Sequence, residues 1–373
     1  MAAGAGAGGY SPARVSEERG TPDGSGSASG RGPTLAFLAL AALYAHAFGV
    51  THAALEEWWQ ATFERLVGGD AMTPMQYRVL LPWLAGRVVA SLRRTPFEVT
   101  LAQVRLAIEV GSVFALLLAV FLVAPSWLRR GGATAAAAAP GGPGAWAAGL
   151  LTALALPFHY LLVDESRVFY TYDIPGILFF ALSLAAARAE RWALFYPLFV
   201  LATFNRETSF FLIVVVLLTG AGRWPRRRLL RHLFALAALW VAAKGALWVA
   251  FQQNTDLHYS NASGLLKNTL GDNLAAAGDL RTWLLLPAVY GYLWIPLLVF
   301  RRRLADPWLR RALLAVPLFH LVMLVPGEIL ELRIYADMLP LVVLGLVGAV
   351  AGGAPPANDR PSPGLPGGQG ASA

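Results

Sequence analysis

The 373-residue sequence has no cysteine and few charged residues for its length. Without a thiol, the chain cannot form a disulfide, an iron–sulfur cluster or a zinc–thiolate site. Charged residues make up 14% of the sequence, well below the roughly 25% of soluble proteins. A surface with so few charges cannot keep a chain that is 57% hydrophobic in water. The composition therefore excludes a soluble globular protein and all thiol chemistry.

Long apolar runs stand where a soluble protein would place charges. They cover residues 34–53, 103–127, 143–163, 173–188, 192–222, 232–251, 282–300, 312–326 and 337–352. Most approach the roughly 20 apolar residues that a membrane-spanning helix needs. We therefore expect an all-α, polytopic integral membrane protein with about ten membrane helices. The first run is expected to be a span, because no A-x-A cleavage site follows it.

A single transmembrane helical domain is expected over residues 34–352. Residues 1–33 are mostly Gly, Ala and Ser, and residues 353–373 are mostly Gly, Pro and Ala. Segments of this composition cannot bury enough apolar surface to offset the entropy of ordering. Both are therefore expected to be disordered cytoplasmic tails.

The arginines are distributed unevenly between the two sides of the predicted bundle. If the N-terminus is inside, the inner side carries 18 basic and 6 acidic residues, and the outer side carries 11 and 16. Short cytoplasmic loops are enriched in Lys and Arg. We therefore expect a multi-pass protein of the inner (plasma) membrane with both termini in the cytoplasm. The basic balance reflects this topology and does not indicate a nucleic-acid partner.

The longest outer loop, residues 54–102, is expected to contain interfacial helices. An amphipathic helix is predicted from about Ala54 to Val67. Residues 74–92 contain two arginines and a proline, so we expect them to lie at the outer interface and not to span. Thr73-Pro74 predicts a helix start, and Thr95-Pro96-Phe97-Glu98 predicts the start of the long helix that follows.

The apolar stretch 192–222 is interrupted only by Asn205-Arg206-Glu207. A single helix over it would be about 46 Å long, against a hydrocarbon core of about 30 Å. We therefore expect a short hairpin with the charged triplet at its tip, where Asn205 caps the second helix. A charge within the bilayer costs about 2.5–3.5 kcal/mol, so Arg206 either snorkels to the interface or binds an anionic ligand. We favour binding.

Acidic side chains for chemistry are concentrated on the outer side. Glu56 and Glu57 follow the first span by one turn, and Asp70 lies later in the same loop. Each is either solvated or a candidate catalytic base. Asp173, close to Tyr172, is either a helix N-cap or an acid at the mouth of a cavity.

The last outer loop contains Glu331 and Arg333. Residues two apart do not share a helix face, so their spacing does not by itself predict a salt bridge. The histidines lack metal-ligand spacing. No cofactor is predicted, although a divalent metal ion is left open. The oligomeric state is not indicated.

Four features together resemble the GT-C superfamily of membrane glycosyltransferases. They are the acid–Trp sequence Glu56-Glu57-Trp58-Trp59, the segment Tyr77-Arg78-Val79-Leu80-Leu81-Pro82, the charged hairpin tip, and the late motif Glu331-Leu332-Arg333-Ile334-Tyr335. The family's acid is usually aspartate, so Glu57, Glu56 and Asp70 remain alternatives for the base. The resemblance is that of a distant bacterial member.

This resemblance implies transfer of a sugar from a polyprenyl-phosphate donor to an acceptor on the outer face of the membrane. The partners would be membrane lipids and the lipid-linked sugar. The implied substrate-binding residues are Arg206, Glu207, Asn205, Arg78, Tyr77, Asp173, Tyr172, Arg333 and Glu331. The alternatives are a transporter or flippase, or a non-catalytic protein of the same fold. A transporter is typically built from internal repeats with polar residues near the midplane. No convincing repeat is found and the polar clusters gather on the outer side, so we favour the enzyme.

Overall fold

The computed structural model describes residues 31–93, 96, 98–254 and 269–352. The predicted tails lie outside the described residues, except that the first helix begins at Arg31. The described part of the chain is all-α, apart from two isolated bridges, Glu57 with Phe169 and Ala133 with Gly352. The helices are α1 (Arg31–Ala53), α2 (Phe63–Gly68), α3 (Leu80–Leu92), α4 (Leu101–Arg130), α5 (Pro143–Tyr160), α6 (Asp173–Arg188), α7 (Trp192–Asn205), α8 (Phe210–Gly220), α9 (Arg226–Ala250), α10 (Leu270–Ala276), α11 (Leu280–Leu285), α12 (Trp294–Phe300), α13 (Pro307–Ala312), α14 (Ala315–Met323) and α15 (Leu339–Ala351).

Four to five helical segments of the described chain are long and apolar enough to cross a membrane. Four are unbroken: Gly32–Ala53, Leu101–Arg130, Arg226–Ala250 and Leu332–Ala351. The fifth is a pair, Leu280–Tyr292 and Trp294–Arg303, bent by 72°. The prediction of about ten membrane helices is therefore wrong. Hydropathy counts apolar residues wherever they fall, whereas several of these runs fold as shorter helices broken by 3-10 turns.

The core of the bundle is built around α4, which packs on α1, α5 and α6. Phe37 of α1 stacks on Phe121 of α4 with ring centroids 4.0 Å apart. A glycine on α5 makes this packing possible, because a Cβ at Gly149 would lie 2.4 Å from the Phe37 ring. Helix α4 begins with a capping box between Thr100 and Gln103. Of the predicted start at Thr95-Pro96-Phe97-Glu98, Thr95 and Phe97 lie outside the described residues, and Glu98 precedes the helix.

The first outer loop is less helical than predicted. Helix α2 covers six residues, and the predicted helix from Ala54 is absent before Thr62. Its backbone instead pairs with another loop, where the Phe169 N–H donates to the Glu56 carbonyl at 3.0 Å. Helix α3 begins at Leu80 and not at Pro74. Its 13 residues are too few to cross a bilayer, as expected for residues 74–92.

The hairpin predicted within residues 192–222 is confirmed. Helices α7 and α8 have 14 and 11 residues and are separated by a 3-10 turn at Glu207–Ser209. The predicted cap is wrong, because Asn205 is the last residue of α7. Its Nδ2 donates to the Tyr172 carbonyl at 2.9 Å, so the amide fixes the hairpin tip to the loop before α6.

The helices run between two ends of different charge. One end carries the loops 54–79, 161–172 and 324–331 and the hairpin tip, and we call it the acidic end. The opposite end carries the C-termini of α4, α6 and α8 and the loop before α13, and we call it the arginine end. This arrangement brings residues that are far apart in sequence into two separate polar regions.

Candidate functional site

A cavity of about 320 Å³ lies at the acidic end. Five segments line it: the loop 54–79, the loop before α6, the hairpin tip, Thr269 and the segment 323–334. Trp58 and Tyr170 supply aromatic surface, and Met323 and Ile334 supply aliphatic surface. Its charged lining is three arginines and three glutamates: Arg78, Arg206, Arg333, Glu207, Glu328 and Glu331.

The floor of the cavity is a buried network of two arginines and two aspartates. Arg206 Nη1 lies 3.4 Å from Asp173 Oδ1 and 3.5 Å from Asp337 Oδ1. Arg333 Nη1 lies 3.2 Å from Asp173 Oδ2. None of the four side chains is more than 6% exposed. Buried charges persist when they are paired, and the equal numbers of each sign give this network a net charge of zero.

Two further ion pairs stand above the floor and are more accessible. Arg78 meets both carboxylate oxygens of Glu207, with Nε 3.1 Å from Oε2. Arg333 contacts Glu331 as well as Asp173. The side chains of Glu207 and Glu331 are 35% and 19% exposed. Water or a ligand can therefore reach these two carboxylates.

Tyrosine rings hold Arg78 and Arg333 in place. The Arg78 guanidinium lies 4.5 Å from the Tyr172 ring centroid, and that of Arg333 lies 4.2 Å from Tyr170. The two rings stack with centroids 5.2 Å apart. Burial raises the pKa of Tyr170 to about 12, so its hydroxyl stays protonated at neutral pH. The rings therefore act as neutral cation–π platforms.

The pKa of Glu331 is raised although its carboxylate contacts Arg333. Glu331 lies in the loop before the last span, and burial raises its pKa above that of an ordinary glutamate, although Arg333 opposes the shift. A carboxylate accepts protons most effectively when its pKa lies closer to the working pH.

The three predicted catalytic acids do not line the cavity. Glu56 and Asp70 are exposed, and Asp70 lies 3.7 Å from Arg65. Glu57 Oε1 lies 3.0 Å from Arg105 Nη1. Burial raises the pKa of Glu57, and Arg105 opposes the rise. Of the sequence Glu56-Glu57-Trp58-Trp59, Trp58 lines the cavity.

Most of the predicted binding residues do come together. Five of them line the cavity: Arg78, Arg206, Glu207, Glu331 and Arg333. Asp173 lies beneath the lining as the first residue of α6, so its role is a buried ion pair and not an N-cap. Tyr172 lies against the Arg78 guanidinium, and Asn205 donates to the Tyr172 carbonyl. Tyr77 is half-buried and lies outside the lining.

Sequence reasoning missed Asp337 and Thr208. Asp337 is 1% exposed and accepts a hydrogen bond from the Thr208 hydroxyl. Asp337 is an acid within an apolar span. A charge inside the membrane is costly, and this argument, which singled out Arg206, applies equally to Asp337. That signal could have found Asp337, whereas Thr208 carries no such signal.

A metal site is not formed within the described residues, where no group of three or more His, Asp or Glu side chains could hold an ion. In comparisons with known proteins, no family model, no curated protein and no solved structure matches the chain.

Proposed function

We propose that the protein is a membrane glycosyltransferase that moves a sugar from a polyprenyl-phosphate donor to an acceptor hydroxyl at the acidic end. The observation that carries the proposal is the cavity there, where accessible glutamates, arginines and aromatic side chains from distant segments converge. Phosphate binding calls for guanidinium groups, and proton removal calls for a carboxylate. Both groups line this one cavity.

The phosphate of the donor is assigned to Arg78. Arg206, the residue favoured from the sequence, faces two carboxylates that are no more than 2% exposed. Displacing either carboxylate would leave a buried charge unpaired, which is costly. The carboxylate opposite Arg78 belongs to Glu207, whose side chain is 35% exposed. Water can solvate Glu207 when a phosphate takes its place, and arginine offers paired donors that match phosphate oxygens.

The general base is assigned to Glu331. Its carboxylate takes the proton of the acceptor hydroxyl while the acceptor oxygen bonds to the anomeric carbon of the sugar. The bond from that carbon to the phosphate oxygen breaks, and the lipid phosphate leaves with the bonding electrons. Glu331 lines the cavity, as Arg78 does. Glu57 also has an arginine partner, Arg105, but lies outside the lining, so it serves as the comparison residue.

The test is turnover by purified protein in lipid nanodiscs. Polyprenyl-phosphate-linked hexoses and pentoses are supplied, and release of polyprenyl phosphate is measured. We expect turnover of at least one donor. Glu331→Gln should lower kcat by about 10²-fold or more, whereas Glu57→Gln should retain activity. Failure to bind or turn over any donor would contradict the proposal, and uptake of solute by sealed vesicles would favour a transporter.

A further inference from the structure

A second cavity, of about 430 Å³, lies at the arginine end of the bundle. Its lining comes from the C-terminal ends of α4, α6 and α8, the turn after α8, and helix α13. Four arginines and one acid supply its charged groups: Arg130, Arg188, Arg223, Arg311 and Asp306. Their formal charges sum to +3, whereas the lining of the acidic-end cavity sums to zero.

The buried member of this set is Arg188, which is 4% exposed. It pairs with Asp306 and lies 4.7 Å from the Trp127 ring centroid and 5.4 Å from that of Trp308. Asp306 is shared, because its Oδ1 also accepts the Trp308 N–H at 3.0 Å. The Nε of Arg188 is buried and has no hydrogen-bond partner among the described residues. This guanidinium is therefore buried in the lining and is not fully hydrogen-bonded.

The accessible arginines keep their charge available. Arg130 donates to the Arg188 carbonyl at 3.1 Å, and Arg311 donates to the Ala221 carbonyl. Neither forms an ion pair with a carboxylate in the described part of the chain, and a carbonyl does not neutralise a guanidinium. Arg223 and Arg228 share Glu190, each at 2.6 Å, so one carboxylate faces two guanidinium groups beside the cavity.

Helix dipoles oppose an anion here, but they do not decide the balance. Three helices end beside the cavity, and each C-terminus carries about half a negative charge at most. These partial charges are spread over the last turn of each helix. They reduce the net positive charge of the lining, but they do not pair with one guanidinium as a carboxylate does.

We propose that this cavity binds a phosphate group. Arginine forks match phosphate oxygens, and the lining offers the exposed Arg130 and Arg311 beside the buried Arg188. The phosphate comes either from an anionic phospholipid head group or from a free phosphate compound. Basic pockets between membrane helices bind lipid head groups in this way. The site is independent of the function proposed for the acidic end.

The test compares binding in wild type, Arg130→Gln/Arg311→Gln and a matched double variant, Arg302→Gln/Arg310→Gln. All four arginines are exposed, and the control pair lies at the same end but outside the lining. Native mass spectrometry in detergent measures retention of phosphatidylglycerol against phosphatidylcholine, and calorimetry measures inorganic pyrophosphate.

We expect the cavity variant to bind at least tenfold more weakly than wild type, and the control to match wild type. Loss of phosphatidylglycerol alone identifies a lipid head group, and loss of pyrophosphate binding identifies a free phosphate compound. Equal affinities in all three proteins would overturn the proposal. Equal losses in both variants would also overturn it, because they would reflect general surface charge. Thermal unfolding of each variant confirms that it is folded.

Discussion

At the scale of single residues, Arg206 is now expected to hold the fold together and not to bind the donor. Arg206→Gln would leave Asp173 and Asp337 buried beside each other without this cation, and removing one partner of a buried ion pair costs about 3–5 kcal/mol. We expect a marked fall in the thermal midpoint in detergent. Arg206→Gln/Asp337→Asn should recover part of it, because one buried charge is removed. An unchanged midpoint in Arg206→Gln would contradict the network.

The base assignment predicts a pH profile. Glu331 must be ionised to accept a proton, and burial raises its pKa above the ordinary glutamate value. Activity should therefore be present above this raised pKa and should be lost as the pH falls through it. We expect the acidic limb of kcat/KM to lie above the ordinary glutamate pKa of about 4.3. A limb at or below that value, measured on the same donor, would exclude Glu331.

The sequence located individual charges but not their partners. Arg206 could be singled out because an intramembrane charge is costly. Asp337 neutralises it from the start of the last span, and no local pattern connects two residues so far apart. For the same reason, the exposed acids Glu56 and Asp70 could not be told from a cavity acid such as Glu331.

At the scale of helices, close packing of α1 on α5 depends on Gly149. Gly149→Ala would place a methyl group against Phe37, whose ring is already stacked on Phe121. We expect a loss of about 1–3 kcal/mol, as for other overpacked cores. The matched control is Gly111→Ala in α4, where a Cβ meets nothing within 4 Å. Thermal unfolding should separate the two variants, and equal midpoints would contradict this packing.

Helix lengths were predictable where simple geometry decided them, and helix ends were not. The hairpin followed from comparing the length of residues 192–222 with the bilayer. Its cap failed because the Asn205 amide binds the Tyr172 carbonyl. The helix predicted from Ala54 failed because the backbone of that segment pairs with Phe169. In both cases a polar group that the local sequence pattern assigned to a helix forms its hydrogen bond with a residue distant in sequence.

At the scale of the whole molecule, the composition predicted an all-α chain with apolar helices but overestimated the spans. The two-ended arrangement makes a topology prediction that uses the absence of cysteine. Asp70→Cys and Asp164→Cys should react with an impermeant maleimide from outside the cell. Arg226→Cys and Arg302→Cys should react only after permeabilisation, because arginine-rich loops stay in the cytoplasm. Labelling of all four from one side would contradict the arrangement.

The most direct measurement of the central claim is a titration of a polyprenyl-phosphate analogue against wild type, Arg78→Gln, Arg78→Lys and Arg87→Gln. Arg87 is the control, because it is exposed on α3 outside the cavity lining. We predict that Arg78→Gln weakens binding at least tenfold, that Arg78→Lys lies between, since lysine offers only a point charge, and that Arg87→Gln matches wild type. Equal affinities in all four folded proteins would contradict donor binding at the acidic end.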